Sequence, residues 1–401
     1  MKAISFLGPT SYQPTVYCYG DKEKETPYFA EALATFFPDL EEILVLLTPK
    51  VKNPPPDKPD NWAEVQKRLG SRVKPVPIPE GHSEAELWDI FNALTEAVNE
   101  GDTVIFDITN SFRSLPFLTF LAAAFLRAAR QVKVHQILYG AFEAKDAKNH
   151  TPVFELTPFV ALLDWLTATN QFIYTGDARY LARQLSKQQE PALEPLASTV
   201  EQISLGLHLL RPIQVSEAAY SLPEQLRTAR QVLPPPFALL ADQIAGSYGQ
   251  FGLEPDAAPC CQLARQLAMI NWYHQAGQIV HVLSLSREWL VSLLCVHFKV
   301  DVQDKNERED VELLLSGGKI KNPETGLERV SKHLEQWHTV RDGKRLRTLW
   351  SNPPYQLANL RNDVLHSGFR KEPKSPKDII DLTQKIVEEL NAIAADWGIT
   401  D

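Results

Sequence analysis

The spacing of apolar residues changes partway along this chain, and that change constrains the fold more than any motif. Up to about residue 157, short apolar runs alternate with helical patterns. Residues 2–7, 42–48, 73–78, 103–107 and 132–139 read as strands, most of them bounded by Gly, Pro or Asp. Helical patterns lie between them at 28–37, 61–69, 83–99 and 117–130. The third opens with a capping box, Ser83 followed by Glu86. Such alternation predicts βαβ units and a doubly wound, mostly parallel, Rossmann-like sheet. Ligands of such sheets bind outside the carboxyl ends of the strands.

After a last strand at 151–155 the pattern turns helical and stays so, which predicts an α/β domain followed by an all-α region. Helices are expected at 159–172, 177–188, 199–210, 214–220, 223–232, 237–246 and 261–298, the last broken at Gly277. A charged segment, 301–312, and a Gly/Pro/Lys loop, 316–326, are expected to interrupt them. In the final helix Ser375 is the cap and Pro376 the first residue, with Asp378 in the first turn. Ile379, Leu382, Ile386, Leu390 and Ile393 form its apolar stripe. The expected division is a domain at 1–157, a helical connecting region at 158–260 and a helical domain at 261–401.

Composition narrows the function classes. A net charge of −9 argues against coating nucleic acid by bulk charge and leaves room for a local basic cleft. Four Cys in 401 residues cannot form a disulfide scaffold. No signal peptide or membrane span is read, so a cytoplasmic protein is expected.

Two strand ends could hold a ligand. The first strand runs into Gly8-Pro9-Thr10-Ser11-Tyr12, the fourth into Asp107-Ile108-Thr109-Asn110-Ser111-Phe112-Arg113. Small hydroxyl and amide residues before a helix present N–H groups to an anion, and Arg113 adds a charge. Neither loop is a dinucleotide or P-loop fingerprint. Capping of the following helix is the simpler reading of Thr109, Asn110 and Ser111. Tyr139-Gly140 ends the fifth strand and could line the same crevice.

In the helical half, Leu360-Arg361-Asn362-Asp363-Val364-Leu365-His366 stands near the end. Asn362 and His366 are four apart and share a helix face. A His can move the proton when a ribose 2′-OH attacks its phosphate, an Arg can stabilise the phosphorane, and an Asn can orient either. A solvent-facing Arg and a capping His is the plainer alternative. Arg130…His135 repeats the spacing across a helix–strand boundary and reads as coincidence. Lys344, Arg345 and Arg347 belong to a basic run that could guide RNA or be a solvated loop. No metal-ligand spacing is present and no metal is expected.

Taken together these segments resemble the CARF–HEPN ribonucleases, accessory proteins of type III CRISPR systems. Ile4-Ser5-Phe6-Leu7-Gly8, Asp107-Ile108-Thr109, Phe112-Arg113-Ser114-Leu115-Pro116 and Tyr139-Gly140-Ala141-Phe142 carry the resemblance to the CARF sensor. Arg361-Asn362 with His366 fits the HEPN R-x4–6-H motif. The resemblance implies a sensor binding cyclic oligoadenylate, most often cyclic tetra-adenylate, as allosteric activator. The loops Gly8–Tyr12 and Thr109–Arg113 of a homodimer, or a higher homo-oligomer, would hold it. It also implies that Arg361, Asn362 and His366 cut single-stranded RNA without a cofactor or metal, leaving 2′,3′-cyclic phosphate ends. The alternatives are a non-cleaving sensor that regulates a partner, and a sensor domain that degrades its own activator.

Overall fold

The structure is a computed structural model and describes residues 1–110, 115–233, 236–321 and 326–399. Two units divide the chain, Met1–Asp164 and Trp165–Asp401. The first holds β1 (Lys2–Phe6), β2 (Thr15–Tyr19), β3 (Lys22–Thr26), α1 (Phe29–Phe36), β4 (Glu42–Leu47), α2 (Pro49–Lys52) and α3 (Asn61–Leu69). It continues through β5 (Val73–Pro77), α4 (Glu84–Glu96), β6 (Thr103–Asp107), α5 (Leu115–Arg130), β7 (Lys133–Gly140) and β8 (His150–Glu155). These form one sheet in the order β3-β2-β8-β7-β6-β1-β4-β5. The run β7-β6-β1-β4-β5 is parallel throughout.

The apolar strands look both ways because both faces are covered. Ala3, Leu7, Ile43, Val45, Leu47 and Ile105 pack with α1 and α3. Their alternates Ile4, Phe6, Leu44, Leu46, Val104 and Phe106 pack with α4 and α5. Half of the capping box forms as expected: the Ser83 hydroxyl accepts from the Glu86 N–H, while the Glu86 carboxylate reaches past the cap to the N–H groups of Gly81 and His82.

One hairpin escapes the apolar-run reading. β2 and β3 are antiparallel across Gly20-Asp21, and Gly20 has φ +58°. β3 is Lys-Glu-Lys-Glu-Thr, an edge strand without an apolar residue. Charge on an exposed edge discourages further strand pairing and removes the pattern that marks a strand.

The helix α6 (Thr157–Thr175) spans the division. The second unit continues with α7 (Arg179–Lys187), α8 (Glu194–His208), α9 (Pro212–Val232), α10 (Phe237–Tyr248), α11 (Pro259–Gln275) and α12 (Ile279–Phe298). Then come α13 (Lys305–Leu315), the short hairpin β9 (Lys319–Lys321) and β10 (Glu328–Val330), α14 (Leu334–Trp337), α15 (Gly343–Ser351), α16 (Leu357–Leu365) and α17 (Pro376–Asp396). A continuous core runs from Trp165 to Ile399.

Three expectations are corrected here. Residues 214–220 and 223–232 belong to one helix, α9, with Pro223 inside it. Leu222 and Leu226 are buried on either side of Pro223, so packing outweighs the lost hydrogen bond. The carbonyl that loses its helical donor, Ala219, lies against Gly252, where an added Cβ would come within 3.0 Å. The charged segment 301–312 is largely α13. Asp304 accepts from the Glu307 N–H at 3.0 Å to cap it, and Val311, Leu314 and Leu315 face the core. The loop at 316–326 contains β9. By length and composition alone α12 is apolar enough to cross a bilayer, but Leu283, Trp289, Leu290 and Leu294 are buried within the unit's core.

Candidate functional site

From β1 the chain first crosses to the β2–β3 hairpin at the far edge of the sheet, returns through α1 to β4 and β5 on one side of β1, and then comes back to β6 and β7 on the other. The winding reverses between β1 and β6, which lie side by side and parallel, and the carboxyl ends of the strands at such a point are where sheets of this kind take ligands. The Gly8–Tyr12 and Thr109–Asn110 loops flank that point. They are neighbours: a Cβ added to Gly8 would lie 3.9 Å from the Asn110 carbonyl oxygen and 3.0 Å from the Tyr12 hydroxyl.

Each loop is tied from beneath. The Tyr12 hydroxyl accepts from the Gly8 N–H at 2.6 Å, and burial pushes its phenol up to about 12. The Tyr12 ring meets Tyr28 edge-on. Pro9 is half-buried, and Thr10 and Ser11 are exposed. Asn61, at the start of α3, donates to the carbonyl oxygens of Gly8 and Thr10 at 2.9 and 2.8 Å. Its own oxygen accepts from the Tyr28 hydroxyl at 3.1 Å. Asn61 is missed by sequence reasoning, and only its place beside the capping Asp60 hints at a special role.

On the other side, Asp107 ends β6 fully buried. Its carboxylate accepts from the Ser5 hydroxyl and, at 2.8 Å, from the Thr109 N–H. Burial raises its pKa to about 6, against the lowering effect of those two bonds. The Thr109 hydroxyl accepts from the Gly140 N–H at 2.9 Å and so joins the β6 loop to the end of β7. Thr109 thus acts within the crevice's frame. Ser111, Phe112 and Arg113 lie outside the described residues.

Tyr139 and Gly140 close β7, and each has a partner nearby. The Tyr139 hydroxyl donates to the Glu143 carboxylate. A Cβ at Gly140 would meet the rings of Tyr17 and Phe29 at 2.8 and 3.0 Å, so the glycine is required by close packing.

In the second unit α16 buries Leu357 and Leu360 and packs against α12. Arg361 and Asn362 meet: the Arg361 Nη1 donates to the Asn362 Oδ1 at 3.1 Å. The Arg361 Nε is buried without a hydrogen-bond partner among the described residues. His366 is the residue that ends the helix, with its N–H on the Asn362 carbonyl at 2.9 Å. It is exposed, and among the described residues no side-chain hydrogen bond joins it to the pair. Asp363, also missed, is buried; it accepts from the Lys374 N–H at 3.0 Å and lies 3.6 Å from Arg370. It fixes the turn that follows His366.

The basic run is divided. Lys344 and Arg347 are exposed on α15. Arg345 pairs with Glu389 at 2.5 Å and Asp396 at 2.6 Å, both on α17, and so joins two helices. Arg287 and Glu288 pair with each other, with Glu312 and with Arg308. Among the described residues no three His, Cys, Asp or Glu side chains gather as a metal-binding group would require.

Comparison with known proteins agrees with this architecture. Residues 2–143 match the family model described as CRISPR system endoribonuclease Csx1, CARF domain. Residues 161–251 match that of CRISPR-associated protein MJ1674, second domain. The CRISPR-associated protein MJ1674 of Methanocaldococcus jannaschii is 30% identical over 130 residues, 32% of this chain. The match spans 20% of that relative's length. Among solved structures, Enterococcus italicus Csm6 bound to cyclic hexa-2′-fluoro-hexa-dAMP has a TM-score of 0.48 at 9% identity, covering 100% of this chain and 95% of that one. With its parallel sheet and its family match over residues 2–143, the first unit is a CARF domain.

Proposed function

We propose that this protein is a cyclic-oligoadenylate-activated endoribonuclease of type III CRISPR antiviral defence, and that it cuts single-stranded RNA without a metal. The observation that carries the reading is the pair of tied loops at the β1–β6 switch point of a CARF domain. A cyclic oligoadenylate, with cyclic tetra-adenylate as the first ring to test, lies between those loops against Gly8, Thr10 and Thr109. A ring with two-fold symmetry suits a homodimer, in which each copy supplies the same loops.

Cleavage falls to α16. His366 moves the proton of the attacking 2′-OH, Arg361 stabilises the phosphorane with its spare donors, and Asn362 holds Arg361 in place. The departing ribose leaves a 2′,3′-cyclic phosphate. Activation requires the ligand to bind the cleaving arrangement more tightly than the resting one.

The test is an RNA cleavage assay with cyclic tri-, tetra- and hexa-adenylate side by side, with EDTA present. Cleavage with one ring and cyclic phosphate ends is the expected result. His366→Ala should lower cleavage by about 10²–10⁴-fold while ligand affinity is unchanged. Full cleavage by that variant, or strict dependence on Mg²⁺, overturns the reading. Binding of a ring with no cleavage of mixed-sequence RNA would favour a sensor that regulates a partner. Loss of the ring over time would favour a sensor that degrades its activator.

A further inference from the structure

We propose that Asp107 is a positioning residue for ligand binding: in its ionised form it holds the two loops that flank the β1–β6 switch point. The inference rests on the reading of that crevice as the cyclic-oligoadenylate site.

The geometry is specific. Asp107 is 0% exposed and Ser5 is 1% exposed. Ser5 lies on β1 three residues before Gly8, and its hydroxyl donates to one oxygen of the Asp107 carboxylate. The other oxygen takes the Thr109 N–H at 2.8 Å. Thr109 passes the connection to the Gly140 N–H at 2.9 Å. One carboxylate therefore joins the ends of β1, β6 and β7. A protonated carboxyl becomes a donor at one oxygen, and one of the two incoming hydrogens loses its acceptor.

Among the described residues, the titratable side chains facing Asp107 are Tyr12 on the β1 loop and Tyr17 on β2. Burial holds both phenols well above their usual range, so they stay neutral. The group that titrates near neutrality in this cluster is Asp107, at about 6.

That value has a cost for stability. A carboxyl whose folded pKa is raised favours the folded state below its unfolded pKa, and that contribution is lost as pH rises through about 6. At neutral pH the ionised side chain is thus a burden on folding. Asn at this position removes that burden yet offers one acceptor where the carboxylate offers two, so stability and the positioning of the loops should respond in opposite directions.

The experiment measures binding of cyclic tetra-adenylate, with the tri- and hexa-adenylate rings alongside, from about pH 5 to about pH 8, together with thermal melting. Wild type should bind evenly above about pH 7 and lose affinity below about pH 6. Asp107→Asn should bind about tenfold more weakly at neutral pH, lose the pH dependence, and melt no lower than wild type. Ser5→Ala keeps the carboxylate and removes one bond to its ionised form, so the midpoint of the pH profile should move upward. Should Asp107→Asn fail to fold, an unmoved midpoint in Ser5→Ala overturns the inference. Wild-type affinity in Asp107→Asn, or affinity that rises as pH falls, also overturns it. If wild type binds none of the three rings, the reading of the crevice falls and the inference falls with it.

Discussion

At the scale of single residues, the crevice is held by bonds that join distant parts of the chain. Asn61 reaches Gly8 across 53 positions, and its two donated bonds go to backbone oxygens of the loop. Asn61→Ala should remove both, leave buried acceptors unmatched and cost about 1–3 kcal/mol of stability, read from chemical denaturation. Ligand affinity should fall with it. Gly140→Ala should cost about 1–3 kcal/mol by overpacking against Tyr17 and Phe29. These residues also mark how far the sequence could be read. Gly8, Tyr12 and Thr109 are legible because strand ends are where such a sheet binds ligands. Asn61, Ser5 and Asp363 are not, because their meaning lies in partners that only the fold brings near. Tyr139 stands out because it is at a strand end, while the bond of its hydroxyl to Glu143, four residues on, shows only in the fold.

At the scale of elements, buried strands and capped helices follow from local pattern, while charge-rich elements hide. β3 and α13 are the instances: one carries no apolar residue, and the other shows its apolar face only at its end. Both are stabilised by what they pack on or pair with rather than by composition. The same lesson applies to α15. A run of cations looks like an RNA track until Arg345 is seen between Glu389 and Asp396 on α17. Arg345→Ala should leave those two carboxylates facing each other and lower stability by about 1 kcal/mol, less at high salt. RNA cleavage by the folded variant should be unchanged, whereas Lys344→Ala and Arg347→Ala should weaken RNA binding and flatten its salt dependence. A cleavage loss in Arg345→Ala matching theirs would restore it to the RNA path.

At the scale of the whole molecule, the two units keep separate cores: two layers around the sheet in one, a continuous helical core in the other. The period change at about residue 157 predicts a sheet domain followed by a helical region, which is the order the elements show. The function proposed for the helical unit rests on one short motif. Separate cores predict separable unfolding. Calorimetry should show two transitions. Cyclic tetra-adenylate at about a hundred times its dissociation constant should stabilise the first unit by about 2.7 kcal/mol. Leu290→Ala, in the helical core, should lower the other transition by about 2–5 kcal/mol and leave the first in place. The anchoring of the crevice carries a consequence of another kind. Asn61, Asp107 and Thr109 secure the loops through backbone atoms, so the framework is indifferent to which side chains occupy the loop tips. Recognition can then drift while the scaffold is inherited intact. A lineage could move between ring sizes by exchanging a few residues among Pro9, Thr10, Ser11 and Asn110, and a sensor could be retargeted at the bench by the same route.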